Sequence, residues 1–167
     1  MAPFPPGTGG GEGVASGRKG QGIRIHSLTD RAGMPLSTCT TPANGDERAQ
    51  VIPRRDALPV RPGQRGRPRQ RLQVLAADQG DEAKDLRHRL RTRGIRPQIP
   101  KRVWKTRKPR GRPMNKDVPR FQAERTLAWF QRKDRRLVVR WERIAACFTA
   151  FLAIAVIHMW IQRLIVG

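Results

Sequence analysis

The sequence predicts a mixed α/β fold. Three features carry that prediction: short β-type runs bounded by Gly, Pro and Asp/Asn turns, amphipathic helical stretches interleaved with them, and a closing apolar run long enough to cover a sheet. Residues 1–22 are rich in Gly and Pro and read as a flexible, turn-rich start. They lack the apolar core of a secretion signal. Residues 23–167 read as the folded part, with Pro/Gly/Arg-rich basic loops at 59–70 and 100–119.

Residues 23–29 alternate as a strand does, and Asp30-Arg31-Ala32-Gly33 reads as a hairpin turn. Residues 35–41, rich in Ser, Thr and Cys, form the returning strand. Asn44-Gly45-Asp46-Glu47 is a turn and N-cap opening a helix through about residue 58, which Pro53 is expected to kink or end. Residues 72–77 are a short buried strand stopping at Asp78-Gln79-Gly80. Residues 83–93 are helical, with Leu86 and Leu90 one turn apart and Gly94 as C-terminal stop. Residues 95–99 form another short strand. Residues 121–133 are an amphipathic helix with Phe121, Ala128 and Trp129 as apolar anchors, and residues 137–165 a long apolar helical stretch.

The chain has 167 residues and a net charge of +22. Residues 1–50 carry five basic and four acidic side chains, residues 54–140 carry 28 and 8, and residues 144–162 carry none. A cationic excess this concentrated repels itself unless an anion screens it, so the middle of the chain predicts a polyanionic partner. Arg dominates there, and Arg makes two-pronged phosphate contacts. Cys39 and Cys147 lack metal-ligand spacing and read as small buried side chains, which excludes a disulfide scaffold. His26 sits mid-strand and reads as structural. His158 reads as a helix-surface or core-edge side chain.

The 18 residues 144–161 meet the minimum length for a membrane span. Thr149, His158, five alanines and the nearby Arg163 favour a buried terminal helix instead. The membrane reading would set Arg135, Arg136, Arg140 and Arg143 on the inner side.

Asp78, at the end of an apolar strand, stands where open sheets place functional groups. Glu124 lies on the helix after the basic loop, with Arg120 four residues before it on the same face. Two carboxylates from separate elements could hold divalent ions for phosphoryl transfer, and oxygen ligands select Mg²⁺ or Mn²⁺. By spacing alone, a turn or cap Asp and an i,i+4 ion pair are the commoner explanations.

Seven runs change that balance. Ile25-His26-Ser27-Leu28-Thr29-Asp30, Pro35-Leu36-Ser37, Thr41-Pro42-Ala43-Asn44-Gly45-Asp46, Leu75-Ala76-Ala77-Asp78-Gln79-Gly80, Ile99-Pro100-Lys101-Arg102, Arg120-Phe121-Gln122-Ala123-Glu124-Arg125-Thr126 and Ala128-Trp129-Phe130 follow in this order. Together they resemble the catalytic domain of bacterial DDE transposases of the insertion-sequence-five type, over roughly residues 4–167. The resemblance implies a ribonuclease-H-like mixed sheet with flanking helices. It also implies three carboxylates binding two Mg²⁺ (or Mn²⁺) ions that cut and rejoin transposon-end DNA. Asp78 matches the second acid, Glu124 the third, and Arg120 the Arg preceding it. Departures are Asp117 where the family often has Tyr, Gln131 where it often has Lys, and Asp81 where Gly-Tyr would continue.

No Asp occurs before Asp30, and Glu12 is the sole acid there. The first catalytic strand and its Asp are therefore expected to be missing, leaving a truncated, inactive copy. The implied partners are double-stranded DNA, both transposon ends and target, with a homo-oligomer possible and no membrane. The implied location is the bacterial cytoplasm. The DNA contacts are expected from Arg65, Arg67, Arg69, Lys101, Arg102, Lys105, Arg107, Lys108, Arg110 and Arg112. Within these loops Arg65-Gly66-Arg67-Pro68 and Arg110-Gly111-Arg112-Pro113 repeat an AT-hook-like core. The alternative function is thus a non-catalytic minor-groove binder, although Arg/Gly/Pro-rich loops generate this tetrapeptide readily.

Overall fold

The computed structural model describes residues 1–5, 10–58, 72–77, 84–99 and 121–165. The elements run β1 (Ala2–Pro3), β2 (Ala15–Gly17), β3 (Gly20–Thr29), β4 (Pro35–Pro42), α1 (Glu47–Asp56), β5 (Val74–Ala76), α2 (Lys84–Thr92), β6 (Arg96–Gln98), α3 (Phe121–Lys133), a 3₁₀ turn (Arg135–Leu137) and α4 (Ala145–Ile165). The mixed α/β prediction holds.

β3 is the spine of an antiparallel sheet. Gly22 pairs with both Pro3 and Ala15, and Ile23 with both Ala2 and Pro42. A strand residue has one neighbour per edge, so β1 lies on one edge and β2 with β4 on the other. Among the described residues no strand runs along the β1 edge beyond Ile23. Gly22 is needed where β1 crosses, because a Cβ there would stand 2.5 Å from the Ala2 carbonyl oxygen. The β3–β4 turn is closed by Asp30, whose Oδ1 accepts from the N–H groups of Ala32 and Met34, both at 2.8 Å. β5 and β6 form a separate, parallel pair.

Strand alternation gives β3 two working faces. Ile23 and Ile25 join a first core cluster with Ala2, Phe130, Leu137, Phe148, Leu152 and Ala155. Leu28, of opposite parity, packs on a second cluster of Ile52, Leu75, Leu86, Leu90, Ile95 and Ile99. On that second face Arg24 reaches Glu47 of α1 at 2.7 Å, and His26 Nε2 lies 2.7 Å from Thr41 Oγ1.

The helix ends follow local chemistry. Asp46 caps α1 by accepting from Arg48 N–H. α2 ends in a Schellman arrangement: Ile95 N–H reaches Leu90 O, Gly94 N–H reaches Arg91 O, and Gly94 has φ +71°. The N-terminus of α4 is capped across the fold, with Glu12 Oε2 accepting from Ala145 N–H at 2.9 Å.

Several expectations need revision. Pro53 does not end α1, which continues one turn to Asp56 with Pro53 inside it. The part of residues 1–22 that is described carries β1, β2 and the start of β3 rather than turns alone. The apolar stretch from 137 is not one helix. After the 3₁₀ turn, Arg140 is buried and its guanidinium donates to the carbonyls of Glu142 at 2.7 Å and Arg143 at 3.2 Å, satisfying a non-helical segment before α4 begins. Its backbone N–H donates to Pro3 O. In α3 the buried anchor is Phe130, backed by Leu127 and Trp129, while Ala128 is exposed and the Phe121 side chain lies outside the described residues. Cys147 is exposed and Cys39 half-buried. α4 is not a buried helix: 17% of its most apolar 18-residue window is buried, through Phe148, Leu152 and Ala155.

Candidate functional site

Of the residues singled out for chemistry, the structure describes Glu124. Asp78, Arg120 and the ten basic candidates (Arg65, Arg67, Arg69, Lys101, Arg102, Lys105, Arg107, Lys108, Arg110 and Arg112) lie outside the described residues. So do both Arg-Gly-Arg-Pro runs.

Glu124 occupies the first turn of α3, where the helix dipole favours a carboxylate. It is exposed. It makes no hydrogen bond or ion pair with another described residue, so its two oxygens are open to a ligand. The helix beneath it is fixed at two places. Phe130, Leu127 and Trp129 pack into the first cluster. At the other end Arg125 Nη2 donates to Ala32 O at 2.8 Å, and Thr126 Oγ1 bonds the Gly33 carbonyl, so α3 is pinned to the β3–β4 turn. The sequence marked Asp30-Arg31-Ala32-Gly33 as a turn and carried Arg125 and Thr126 within a family-like run, but not the contact between them.

The strand leading to Asp78 has a different support. Leu75 of β5 is buried in the second cluster, and Ala77 N–H continues the parallel ladder to Gln98 O. Arg87 on α2 donates to Ile99 O at 3.0 Å and ties the helix to the end of β6.

Beside Glu124, the α3 face Arg125-Trp129-Lys133 borders a groove of about 540 Å³. Lys133 Nζ lies 5.0 Å above the Trp129 ring, and the Trp129 ring stands 5.6 Å from His158 of α4. Arg163 closes the far side. Arg125, Lys133 and Arg163 all line this groove, and three cations along it suit a phosphate-rich ligand.

Among the described residues no group of three or more His, Cys, Asp and Glu side chains gathers as a metal site. The described chain supplies one oxygen ligand, Glu124, and one carboxylate does not make a metal centre. Glu12, the sole acid before Asp30, is engaged at the α4 N-terminus.

Comparison with known proteins gives two matches. The sequence profile of the family described as "Transposase DDE domain" matches residues 3–160. A Burkholderia cepacia protein whose name assigns it as a transposase for insertion sequence element IS402 is 41% identical over 131 residues. The aligned part is 78% of this chain and 59% of that protein, so this chain spans about three fifths of that relative's length. No solved structure matches significantly.

Proposed function

The chain belongs to the family of transposase DDE domains, and on that premise we propose that it binds double-stranded DNA through its basic middle and presents Asp78 and Glu124 as metal-binding carboxylates. The family match over residues 3–160 carries this reading. The concentration of 28 basic residues between positions 54 and 140 supports DNA as the ligand. The open carboxylate of Glu124, in the first turn of α3 with Arg125 next to it in sequence, supports its role. A ribonuclease-H-like architecture is supported by an antiparallel β3–β4 hairpin and a parallel β5–β6 pair sharing one hydrophobic cluster with α1 and α2.

Bound at these carboxylates, Mg²⁺ or Mn²⁺ would supply Lewis-acid chemistry for phosphoryl transfer. Asp78 and Glu124 are the residues that would hold them, and Arg120 would sit four residues before Glu124 to offset its charge. The cytoplasm is the proposed location. Glu12 is committed to capping α4 and is not among the proposed ligands.

Two measurements test this. Mn²⁺ binding, read from water-proton relaxation, should be weakened by Asp78→Asn and by Glu124→Gln; unchanged binding in both would remove them as ligands. On duplexes bearing transposon ends, affinity should fall steeply with salt, and the absence of DNA binding at low salt would overturn the function itself.

A further inference from the structure

The groove of about 540 Å³ beside Trp129 lies between α3, α4 and the β3–β4 turn, and its chemistry divides by depth. Met34 is buried and Trp129 and Met159 are half-buried, so the floor is apolar and aromatic. Arg125, Lys133 and Arg163 are exposed at the rim, and no lining residue is acidic. Arg163 makes no hydrogen bond or ion pair with another described residue. Arg125 commits one donor to Ala32 O and keeps others. The Trp129 ring is braced by Phe130, edge-on at 6.2 Å, and by His158 at 5.6 Å. Over the ring lies Lys133 Nζ, 5.0 Å from the centroid, held by Gln162 Oε1 at 3.1 Å. That ammonium is exposed on a flexible stem and can swing off the ring.

We propose that this groove binds an unpaired nucleotide of single-stranded DNA, its base stacked on Trp129 in place of the Lys133 ammonium and its phosphates held by Arg125, Lys133 and Arg163. Such a site rests on the reading of the chain as a DNA-binding protein and adds to it a preference for unpaired strands. Arg125, Trp129 and Lys133 stand at successive i,i+4 positions of α3, about 6 Å apart along its axis. Cation, flat ring and cation thus alternate along one helix face, as phosphate and base alternate along a strand. Neighbouring helix residues point about 100° apart, so this is not the face that Glu124 presents. A duplex fits the groove poorly. Its phosphates would meet the rim, but its bases are stacked inside, and nothing would cover the Met34–Trp129–Met159 floor. An acidic peptide would match the charge alone, whereas the guanidinium forks and the ring match phosphate and base together. The volume is that of a small-ligand site.

The test is fluorescence anisotropy of the full chain with three labelled probes: an oligothymidylate, an abasic oligonucleotide with the same number of phosphates, and a duplex. The wild type should bind the oligothymidylate at least about fivefold tighter than the abasic strand. Trp129→Leu should abolish that ratio while keeping duplex affinity and the far-UV spectrum. Gln162→Glu, which is isosteric, should lower the ratio too, because a carboxylate there holds the Lys133 ammonium over the ring. It decides the question if Trp129→Leu fails to fold. Being a ratio between strands of equal charge, the readout is insensitive to the added acid. A wild type that binds duplex but treats the two single strands alike overturns the proposal and leaves the DNA-binding reading standing. One that binds none of the probes overturns both. A ratio preserved in folded Trp129→Leu or in Gln162→Glu also overturns the proposal. So does an acidic, aromatic peptide that binds the wild type and not Trp129→Leu while the single strands bind alike, which would assign the groove to a protein partner.

Discussion

The two hydrophobic clusters are built from different spans of chain. The first joins Ala2 to Ala155, gathering β1, β3, α3, the 3₁₀ turn and α4. The second draws all its buried members from residues 52–99. The first is thus assembled from the two ends of the described fold and the second from its middle. The candidate carboxylates divide the same way. Glu124 rides on α3, anchored in the first cluster by Phe130, and the strand before Asp78 is anchored in the second by Leu75. β3 alone contributes to both, with Ile23 and Ile25 on one face and Leu28 on the other. A site made from both carboxylates therefore depends on a shared wall one strand thick.

The comparison can be broken at either core. Phe130→Ala should destabilise by about 3–5 kcal/mol and Leu90→Ala by about 2–5 kcal/mol, measured by denaturant unfolding. Because β3 joins the clusters, the Leu90→Ala transition should coincide by Trp fluorescence and far-UV circular dichroism. Separate midpoints would show that the two cores unfold independently. Arg140→Met comes next. It removes the guanidinium donor from the Glu142 carbonyl and one of two donors from the Arg143 carbonyl, which keeps Glu12 N–H, and a loss of roughly 1–3 kcal/mol is expected in the same unfolding experiment.

Smaller changes sharpen the contrast. Gly94→Ala forces a side chain onto φ +71° at the edge of the second cluster and should lower stability by about 1 kcal/mol. Glu12→Ala, at the edge of the first, removes the α4 cap for a similar loss of about 1 kcal/mol. The smallest effect belongs to His26. Burial holds its pKa below the ordinary 6.5, so the folded chain prefers the neutral ring. The stabilisation tied to that preference is present above pH 6.5 and is lost as pH falls from there through the folded value. His26→Gln should flatten the stability–pH profile over that window; an unchanged slope would assign it to other groups.

Local signals placed most elements well. Period-two alternation located β3, a Ser/Thr/Cys-rich run after a turn located β4, Asp46 located the α1 cap, and Gly94 the end of α2. Each depends on neighbours in sequence, which is why it could be read there. Pro53 misled because a proline disfavours a helix interior on average, and here the helix runs through it with Ile52 buried beside it in the second cluster. Residues 138–144 misled through their average hydropathy, although Arg140, Glu142 and Arg143 were visible there as poor company for a buried helix. Ala128 was preferred over Phe130 because an apolar count does not say which way a helix is turned; contact with Ile23 and Leu137 decides that. Of the site, the sequence marked Glu124 on its helix. The pinning of that helix by Arg125 and Thr126 depends on Ala32 and Gly33, some 93 positions away, beyond the reach of any local pattern.

A still longer separation gives the Glu12 cap a meaning in time. Glu12 and Ala145 are 133 positions apart, and a ribosome makes the acid long before the helix. When the first turn of α4 leaves the exit tunnel, its exposed N–H groups meet a carboxylate carried by a sheet whose strands have already been made. The helix need not nucleate alone in water, where a first turn is unfavourable. The early chain acts as a mould for α4, and a variant at position 12 should slow the docking of that helix more than it disturbs the finished fold.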